Sequence, residues 1–354
     1  MLGVVLILHD DFHPAVDLSA NFDSLLIPEG HVSRCPSDTY YLNADTVLRT
    51  HTSAHQAQLV RAGLDAFLAV GDVYRRDEID RSHFPVFHQM EGVRLFTGAE
   101  LFGLSKSGSD DEPLLLSAAQ VEHRTSEKQE RHSAKAATRL ESSLKSTLES
   151  LAHALFGKDV ESRWVDCYFP FTHPSWELEV LQNGQWMEML GCGVIEQEVL
   201  DKAGADSKVG WAFGLGLERL AMKLYSIPDI RLFWSTDTGF TSQFEDATPE
   251  QAIVYKATSR QPQCICDVSF WLPAGCSLDF HSSDVYDIVR TVGGELVEQV
   301  KLVDDFRNAK TGRRSHCYRV VYRHLERPLT NTEVNAVHAT VRQALAQELS
   351  VELR

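Results

Sequence analysis

"VGWAFGLGLERLAM", residues 209–222, decides how the rest of the chain is read. An apolar run meets Gly214 and Gly216, then the charged pair Glu218–Arg219, then more apolar residues. The pattern predicts a strand that turns at the glycines into a helix, "GLERLAMKLYS", with Pro228 beyond its end. A dinucleotide fingerprint needs a third glycine where Arg219 stands, and a phosphate loop needs a Gly-Lys-Ser/Thr that does not follow. What is left is strand, Gly-x-Gly, Glu-Arg, helix. Gly216 lets a flat or charged ligand approach the backbone. Arg219 offers a guanidinium that stacks on a base or pairs with phosphate. Alone, the same residues also describe an ordinary strand-to-helix turn with an exposed arginine.

A second constellation lies upstream. "AFLAVGDVYR" and "FHQMEGVRLF" read as two strands flanking the charged stretch "RRDEIDRSHFPV". Arg75 ends the first strand, and alternation sends Phe87, Gln89 and Glu91 of the second to one face. With His83, these residues suit a zwitterion beside a nucleotide. "WELEVLQNGQWMEMLGCGVI" alternates on both sides of Asn183-Gly184 and reads as a hairpin. Between these strands, "SKSGSDDEP" is a loop, and the stretch from "AAQVEHRT" to Gly157 reads as a long helical region. Leu140, Leu144, Leu148, Leu151 and Leu155 give that region one apolar face.

Residues 244–262 look like a linker. Beyond them the element order is β-α-β-β-α-β, the ferredoxin-like arrangement, with Val285, Ile288, Val289 and Val292 on one helix stripe. Thr330-x-x-Glu333 is a capping box opening a helix that carries Val334, Val337, Val341 and Leu345.

Bulk composition bounds the reading. The 354 residues are 43% hydrophobic and 24% charged, enough for two or three globular domains. No apolar run is long enough for a membrane span. Seven cysteines without a C-x-x-C pair argue against a zinc site or a disulfide framework, and fit a reducing compartment. His51 and His55, four apart, lack a third ligand and the glutamate of H-E-x-x-H. Net charge is −16, against indiscriminate nucleic-acid binding. Residues 261–354 are nearly balanced, with 11 Lys/Arg and 12 Asp/Glu, so this part repels a polyanion least. The opening "MLGVVLILHDDFHPAVD" has no basic flank and carries no legible targeting signal.

At this point the chain resembles a class II aminoacyl-tRNA synthetase. Arg75 and its loop resemble motif 2, and "GLGLER" resembles motif 3. "RTHTSAHQ" (49–56), "FHQMEG" (87–92), "YFPFTHPS" (168–175), "LGCGV" (190–194) and "WAFGLGLERLAM" (211–222) are similar to signatures of phenylalanyl-tRNA synthetases of the single-chain mitochondrial type. The resemblance implies an α+β fold: a class II antiparallel sheet flanked by helices over 1–243, with a helical insertion at 104–157, a linker at 244–262, and a ferredoxin-like anticodon-binding domain over 263–354. Motif 1 has no match here. About twenty residues precede Asn21, too few for its long helix, which leaves a catalytically impaired, RNA-binding or regulatory protein as the alternative to an enzyme. Arg75-Arg76-Asp77 carries aspartate where the family often has glutamate.

The resemblance also implies roles. Arg75 and Arg219 are the catalytic arginines, on the α-phosphate and on adenine near the γ-phosphate. His83, Phe87, Gly214 and Gly216 complete the ATP site. Thr52, Ser53, His55, Gln89, Glu91, Phe169, Phe171, Glu188, Ala212 and Phe213 form the phenylalanine site, with Phe169 and Phe171 edge-to-face on the substrate ring. Arg290, Lys310, Arg313 and Arg314 are candidate phosphate contacts for tRNA(Phe). ATP and Mg²⁺ are the implied cofactors, with the metal ligands unassigned. The expected protein is a monomer of the mitochondrial matrix, away from membranes.

Overall fold

The computed structural model describes residues 6–354 except 104–112, 183, 237, 249–250, 252, 257–260, 274–279 and 326. The expected loop around 105–113 and the turn residue Asn183 thus lie largely or wholly outside the described residues. The chain divides into two compact units. The first comprises Met1–Cys35, Thr39–Tyr74 and Val86–Leu220; the second comprises Pro36–Asp38, Arg75–Pro85 and Ala221–Arg354.

The strands of the first unit are β1 (Ile7–His9), β2 (Ala15–Asp17), β3 (Thr46–Leu48), β4 (Ala66–Tyr74), β5 (Val86–Phe96), β6 (Ser162–Phe169), β7 (Thr172–Gln182), β8 (Gln185–Ile195) and β9 (Val209–Gly216). Seven of them form one sheet in the order β1-β4-β5-β9-β8-β7-β6, antiparallel except where β1 joins β4; β2 and β3 pair separately. Helices α1 (Leu18–Asn21), α2 (Gln56–Arg61), α3 (Gly98–Phe102), α4 (Ala134–Phe156) and α5 (Gln197–Lys202) surround it, and α6 (Leu217–Leu224) follows β9 at once, as the opening stretch predicts.

One sheet face packs against α4. Leu140, Leu144 and Leu148 are fully buried there with Trp176, Leu178 and Leu215. The helix is shorter than the sequence suggested. It begins only after Ser133, whose side chain caps the Ala136 N–H. Upstream, Lys128, Gln129 and His132 are buried, and they bond to loop and strand groups: Gln129 donates to His173 O and Ile195 O, and Lys128 to His132 O. Charged spacing that looked helical is spent on satisfying buried backbone. The other sheet face is lined by Phe67, Ala69, Val93, Ala212 and Ile195.

The second unit carries β10 (Cys264–Trp271), β11 (Val297–Arg307), β12 (Arg314–Tyr322) and β13 (Glu352–Leu353), with α7 (Thr238–Thr241), α8 (Ser282–Gly293) and α9 (Asn331–Glu348). The strand order β11-β12-β10-β13 is that of a ferredoxin-like sheet. Val285, Ile288 and Val289 of α8, and Val334, Val341 and Leu345 of α9, bury against Phe270, Tyr318 and Val320. The Thr330–Glu333 capping box forms as predicted. Ile79, from the charged stretch between β4 and β5, sits in this second core.

Leu144→Ala is expected to destabilise the first unit by about 2–5 kcal/mol, because a fully buried leucine leaves a cavity against a rigid sheet. Urea unfolding followed by tryptophan fluorescence measures it, with unchanged unfolding of the second unit as the internal control.

Candidate active site

The pairing of β5 with β9 and of β9 with β8 builds a row across the sheet: Ala69, Glu91, Gly214, Gly191 and Glu177 are direct neighbours on successive strands. Paired residues face the same way, so the row lies on one side of the sheet. Gln89 and Gly216 pair two positions along, and Val93, Ala212 and Gly193 pair two positions the other way, on the same side. A Cβ added at Gly214 or Gly216 would meet nothing within 4 Å. The two glycines of the opening motif thus leave open floor beside two carboxamide and carboxylate side chains.

At one end of that floor stand the residues expected to hold an ammonium. Thr52, Ser53 and His55 lie on one short 3₁₀ turn. The Thr52 N–H donates to Gln89 Oε1 at 3.2 Å, tying the turn to β5. Glu91 is only 2% exposed. Burial pushes its carboxyl up to about 8, against a hydrogen bond from Ser53 that lowers it. Its Oε2 has no hydrogen-bond partner among the described residues. An orphaned buried carboxylate oxygen is costly and calls for a cationic or donor ligand. His55 goes elsewhere. Its Nε2 meets Arg49 Nη1 at 2.9 Å, its ring stacks on Phe12 at 4.3 Å, and burial beside Arg49 holds its pKa down at about 4. A neutral, stacked imidazole engaged by an arginine supports the wall rather than offering a charge to a ligand.

Aromatic residues stand at the other end. The Phe169 and Phe171 rings lie 5.9 Å apart and nearly parallel. Phe169 lies over Gly191, where an added Cβ would approach its ring to 2.8 Å. Ala212 is buried on the same face as Glu91. Phe213 is not, which corrects the sequence reading that put both under one pocket. As the next residue along β9 it points to the opposite face, where its ring covers Gly92 and joins the cluster around Trp211 and α4.

Arg219 opens onto the surface and pairs with Glu188 of β8 at 2.9 Å. Glu177 lies nearby in the electrostatic sense: burial, then Glu188 and Glu179, push its pKa up, and Arg219 opposes them. Glu218, one residue before Arg219, is buried and accepts from the His88 N–H at 2.8 Å and meets His88 Nδ1 at 2.6 Å. That bond joins the start of α6 to β5 between Phe87 and Gln89. Sequence reasoning assigned nothing to Arg49, Glu177 or Glu218. Arg49 is 1% exposed and donates to Asp72 O and Phe12 O, and an added Cβ at Gly71 would overlap its guanidinium. The pairing of that glycine with a buried arginine was the signal, visible only once the strands are registered.

Arg75 and His83 fall in the segment that belongs to the second unit. The Arg75 N–H donates to Pro85 O, and His83 Nδ1 meets Asp80 Oδ2 at 2.8 Å. The same segment is held in its unit by Arg76, with Asp284 and Asp287 both at 2.8 Å, and by Arg81 on the buried Glu298. Of the expected tRNA contacts, Arg290 is turned inward to Asp287 at 2.9 Å and Asp77 O at 3.1 Å. Arg313 and Arg314 lie at the exposed end of the sheet with Lys310.

Comparison with known proteins fits this geometry. Residues 13–105 and 137–244 match the family described as tRNA synthetases class II core domain (F), and residues 259–354 match the ferredoxin-fold anticodon binding domain. The chain is 54% identical to a protein of Mus musculus named phenylalanine–tRNA ligase, mitochondrial, over 98% of this chain and 75% of that protein. It is 48% identical to a Drosophila melanogaster protein named probable phenylalanine–tRNA ligase, mitochondrial, over 98% and 79%. A chloroplastic/mitochondrial phenylalanine–tRNA ligase of Arabidopsis thaliana is 49% identical over 98% and 72%. Motif, fold and kinship agree, and the chain belongs to the class II aminoacyl-tRNA synthetases, in the mitochondrial phenylalanine–tRNA ligase family.

Proposed function

We propose that the chain activates phenylalanine with ATP and transfers it to the 2′-OH of the terminal adenosine of tRNA(Phe), acting as a monomer in the mitochondrial matrix. The observation that carries this reading is the buried, half-satisfied Glu91 facing open glycine floor, with Gln89 and Ser53 beside it and Phe169 across the sheet. An amino acid's ammonium completes Glu91, and its aromatic side chain reaches the Phe169–Phe171 end. Its carboxylate then points along the floor toward the Arg219 side.

In the first step the carboxylate oxygen attacks the α-phosphorus of ATP and pyrophosphate leaves. Negative charge accumulates on phosphate oxygens, so fixed guanidinium groups lower the barrier more than they tighten the ground state. Within the first unit Arg219 takes such a role, with Phe87 and Arg219 on the two faces of adenine; the phosphate roles of Arg75 and His83 are those the family resemblance implies. Glu188 positions Arg219 in the absence of nucleotide and screens its charge until phosphate replaces it. Glu218 holds the start of α6 to β5 and so fixes where Arg219 begins. In the second step the ribose hydroxyl attacks the adenylate carbonyl and AMP leaves; no cysteine is required.

Mg²⁺ fits this site. Burial and the neighbouring Glu188 carboxylate raise the proton affinity of Glu177, which marks a place where a cation is welcome. Among the described residues no three Asp, Glu, His or Cys side chains gather, in keeping with an ion held by one or two carboxylates and chiefly by phosphate oxygens. Bound there, it would neutralise phosphate charge. Among the described residues no helix is long and apolar enough to cross a membrane.

Phenylalanine-dependent ATP–pyrophosphate exchange is the direct test; a folded protein that shows none across the amino acids ends the reading. The Glu91 geometry adds a pH signature. With its pKa near 8, the carboxyl is protonated at neutral pH in the ligand-free protein, whereas the ammonium favours the carboxylate. Phenylalanine binding should therefore release a proton at pH 7 and tighten between pH 6 and 8. Calorimetry in two buffers of different ionisation heat reads the proton directly. The same shift makes ionised Glu91 a stability cost that grows from about pH 4.5 to 8, because the folded state holds the proton longer. Glu91→Gln should then raise Tm more at pH 8 than at pH 5, while raising KM for phenylalanine. Ala212→Gly should widen the buried face near Phe171 and raise kcat/KM for para-chlorophenylalanine relative to phenylalanine, on the order of tenfold. An unchanged ratio would show that Ala212 does not bound the ring.

A further inference from the structure

At one end of the second sheet the chain gathers aromatic rings beside Lys310, Arg313 and Arg314. β10 ends at Trp271, β11 at Phe306 and Arg307, and β12 begins at Arg314, so these residues lie side by side. The indole of Trp271 and the ring of Phe306 are 6.4 Å apart and tilted. The Arg313 and Arg354 guanidinium groups each sit 4.9 Å from the Trp271 ring centre, and Arg354 also lies 5.8 Å from Phe306. Trp271 and Arg313 line an open cleft of about 980 Å³, together with Asp305, Arg307, Arg314 and Glu352. Asp305 pairs with Arg314 and Glu352 with Arg313. Lys310 is exposed on the same turn.

Three features select the occupant. In a chain of net charge −16 the cleft lining holds Arg307, Arg313 and Arg314 against Asp305 and Glu352, with Lys310 exposed on the adjoining turn and the Arg354 guanidinium over Trp271. Phe306 remains 42% exposed, although burying a ring of that size is ordinarily favourable. The cleft is open and roomy. A polyanion satisfies the cations, and a flat ring satisfies the aromatics; an unpaired RNA base carries both. We propose that Trp271 is a stacking platform for an unpaired base in the tRNA anticodon loop. The guanidinium groups of Arg313 and Arg354 cover the indole in the unbound protein, and the entering base displaces one of them onto its own phosphate. Arg313 is the better candidate, because it lies on an exposed turn and its partner Glu352 is exposed too. The assignment rests on the tRNA ligase reading for the identity of the RNA, but not for the stacking.

The test uses the full chain and an anticodon stem-loop RNA. Trp271→Ala should weaken stem-loop binding about tenfold or more, the size expected for one base–aromatic stack. Trp271→Tyr should recover most of the loss. Ile265→Ser, at the far end of the same strand and 57% exposed, should change nothing. Replacing loop nucleotides one at a time by abasic sites should cost the wild-type protein at one position that costs Trp271→Ala no more, a coupling that mere loss of folding cannot imitate. Equal RNA binding by wild type and Trp271→Ala, or losses that add at every loop position, overturns the platform. Amino-acid-dependent exchange, which needs no RNA, is measured alongside. Its absence in wild type sinks the ligase reading and leaves the stacking result to stand or fall separately.

Discussion

The antiparallel register of β5 against β9 is the constraint on which the first unit depends. It sets Glu91 opposite Gly214 and Gln89 opposite Gly216. Side chains alternate along a strand, so a slip of one residue would exchange the two faces of β9. Phe213 would then fill the open floor, and Ala212 would be pressed against α4. The hydrophobic pattern forbids the slip: Trp211, Phe213 and Leu215 pack on the α4 face, whereas Ala212 joins Ala69 and Val93 on the other. Core packing on one side thus guarantees bare backbone on the other. The bond from Glu218 to His88 pins the same register at the helix end.

The open face stores an electrostatic debt. A carboxylate in surroundings as dry as those of Glu91 is expensive to ionise, and the fold leaves one of its oxygens without a protein partner. Such a group contributes little to stability and much to selectivity, since only a ligand that brings a donor or a positive charge recovers its solvation. Arg49 is the opposite case. It is as deeply buried, but Asp72, Phe12 and His55 all engage it. Burial pulls its pKa down while Asp72 opposes that pull. The buried arginine is completed by the fold, whereas the buried carboxyl keeps one oxygen without a hydrogen-bond partner among the described residues.

The strands, the capping box and the β-α-β-β-α-β order were legible because each rests on local periodicity or on a short motif. Three things were not. The start of α4 was hidden because Lys128, Gln129 and His132 look solvent-facing yet serve buried carbonyls. The side taken by Phe213 needed the register of three strands together. The allegiance of residues 75–85 was invisible because it is set by partners more than two hundred positions away: Asp284 and Asp287 for Arg76, Glu298 for Arg81, and a core that accepts Ile79. Alternation alone placed Gln89 and Glu91 on one face of β5, while the bond from the Thr52 N–H that orients Gln89 was not legible.

Net charge is a poor guide to what such a chain binds. At physiological salt the field of a surface charge decays over about 8 Å, so a bound phosphate responds to the charges within that reach and not to the net charge of the whole chain. At the Trp271 end of the second sheet those charges are Arg307, Arg313 and Arg314 against Asp305 and Glu352, with Lys310 exposed on the adjoining turn. If this corner meets RNA, the affinity should fall steeply with salt even though the chain's overall charge is of the repulsive sign. The same logic separates the two ion pairs at that corner from ordinary surface pairs. Glu352 and Asp305 hold Arg313 and Arg314 at the rim, exposed and weakly bound, so phosphate can replace either carboxylate at little cost.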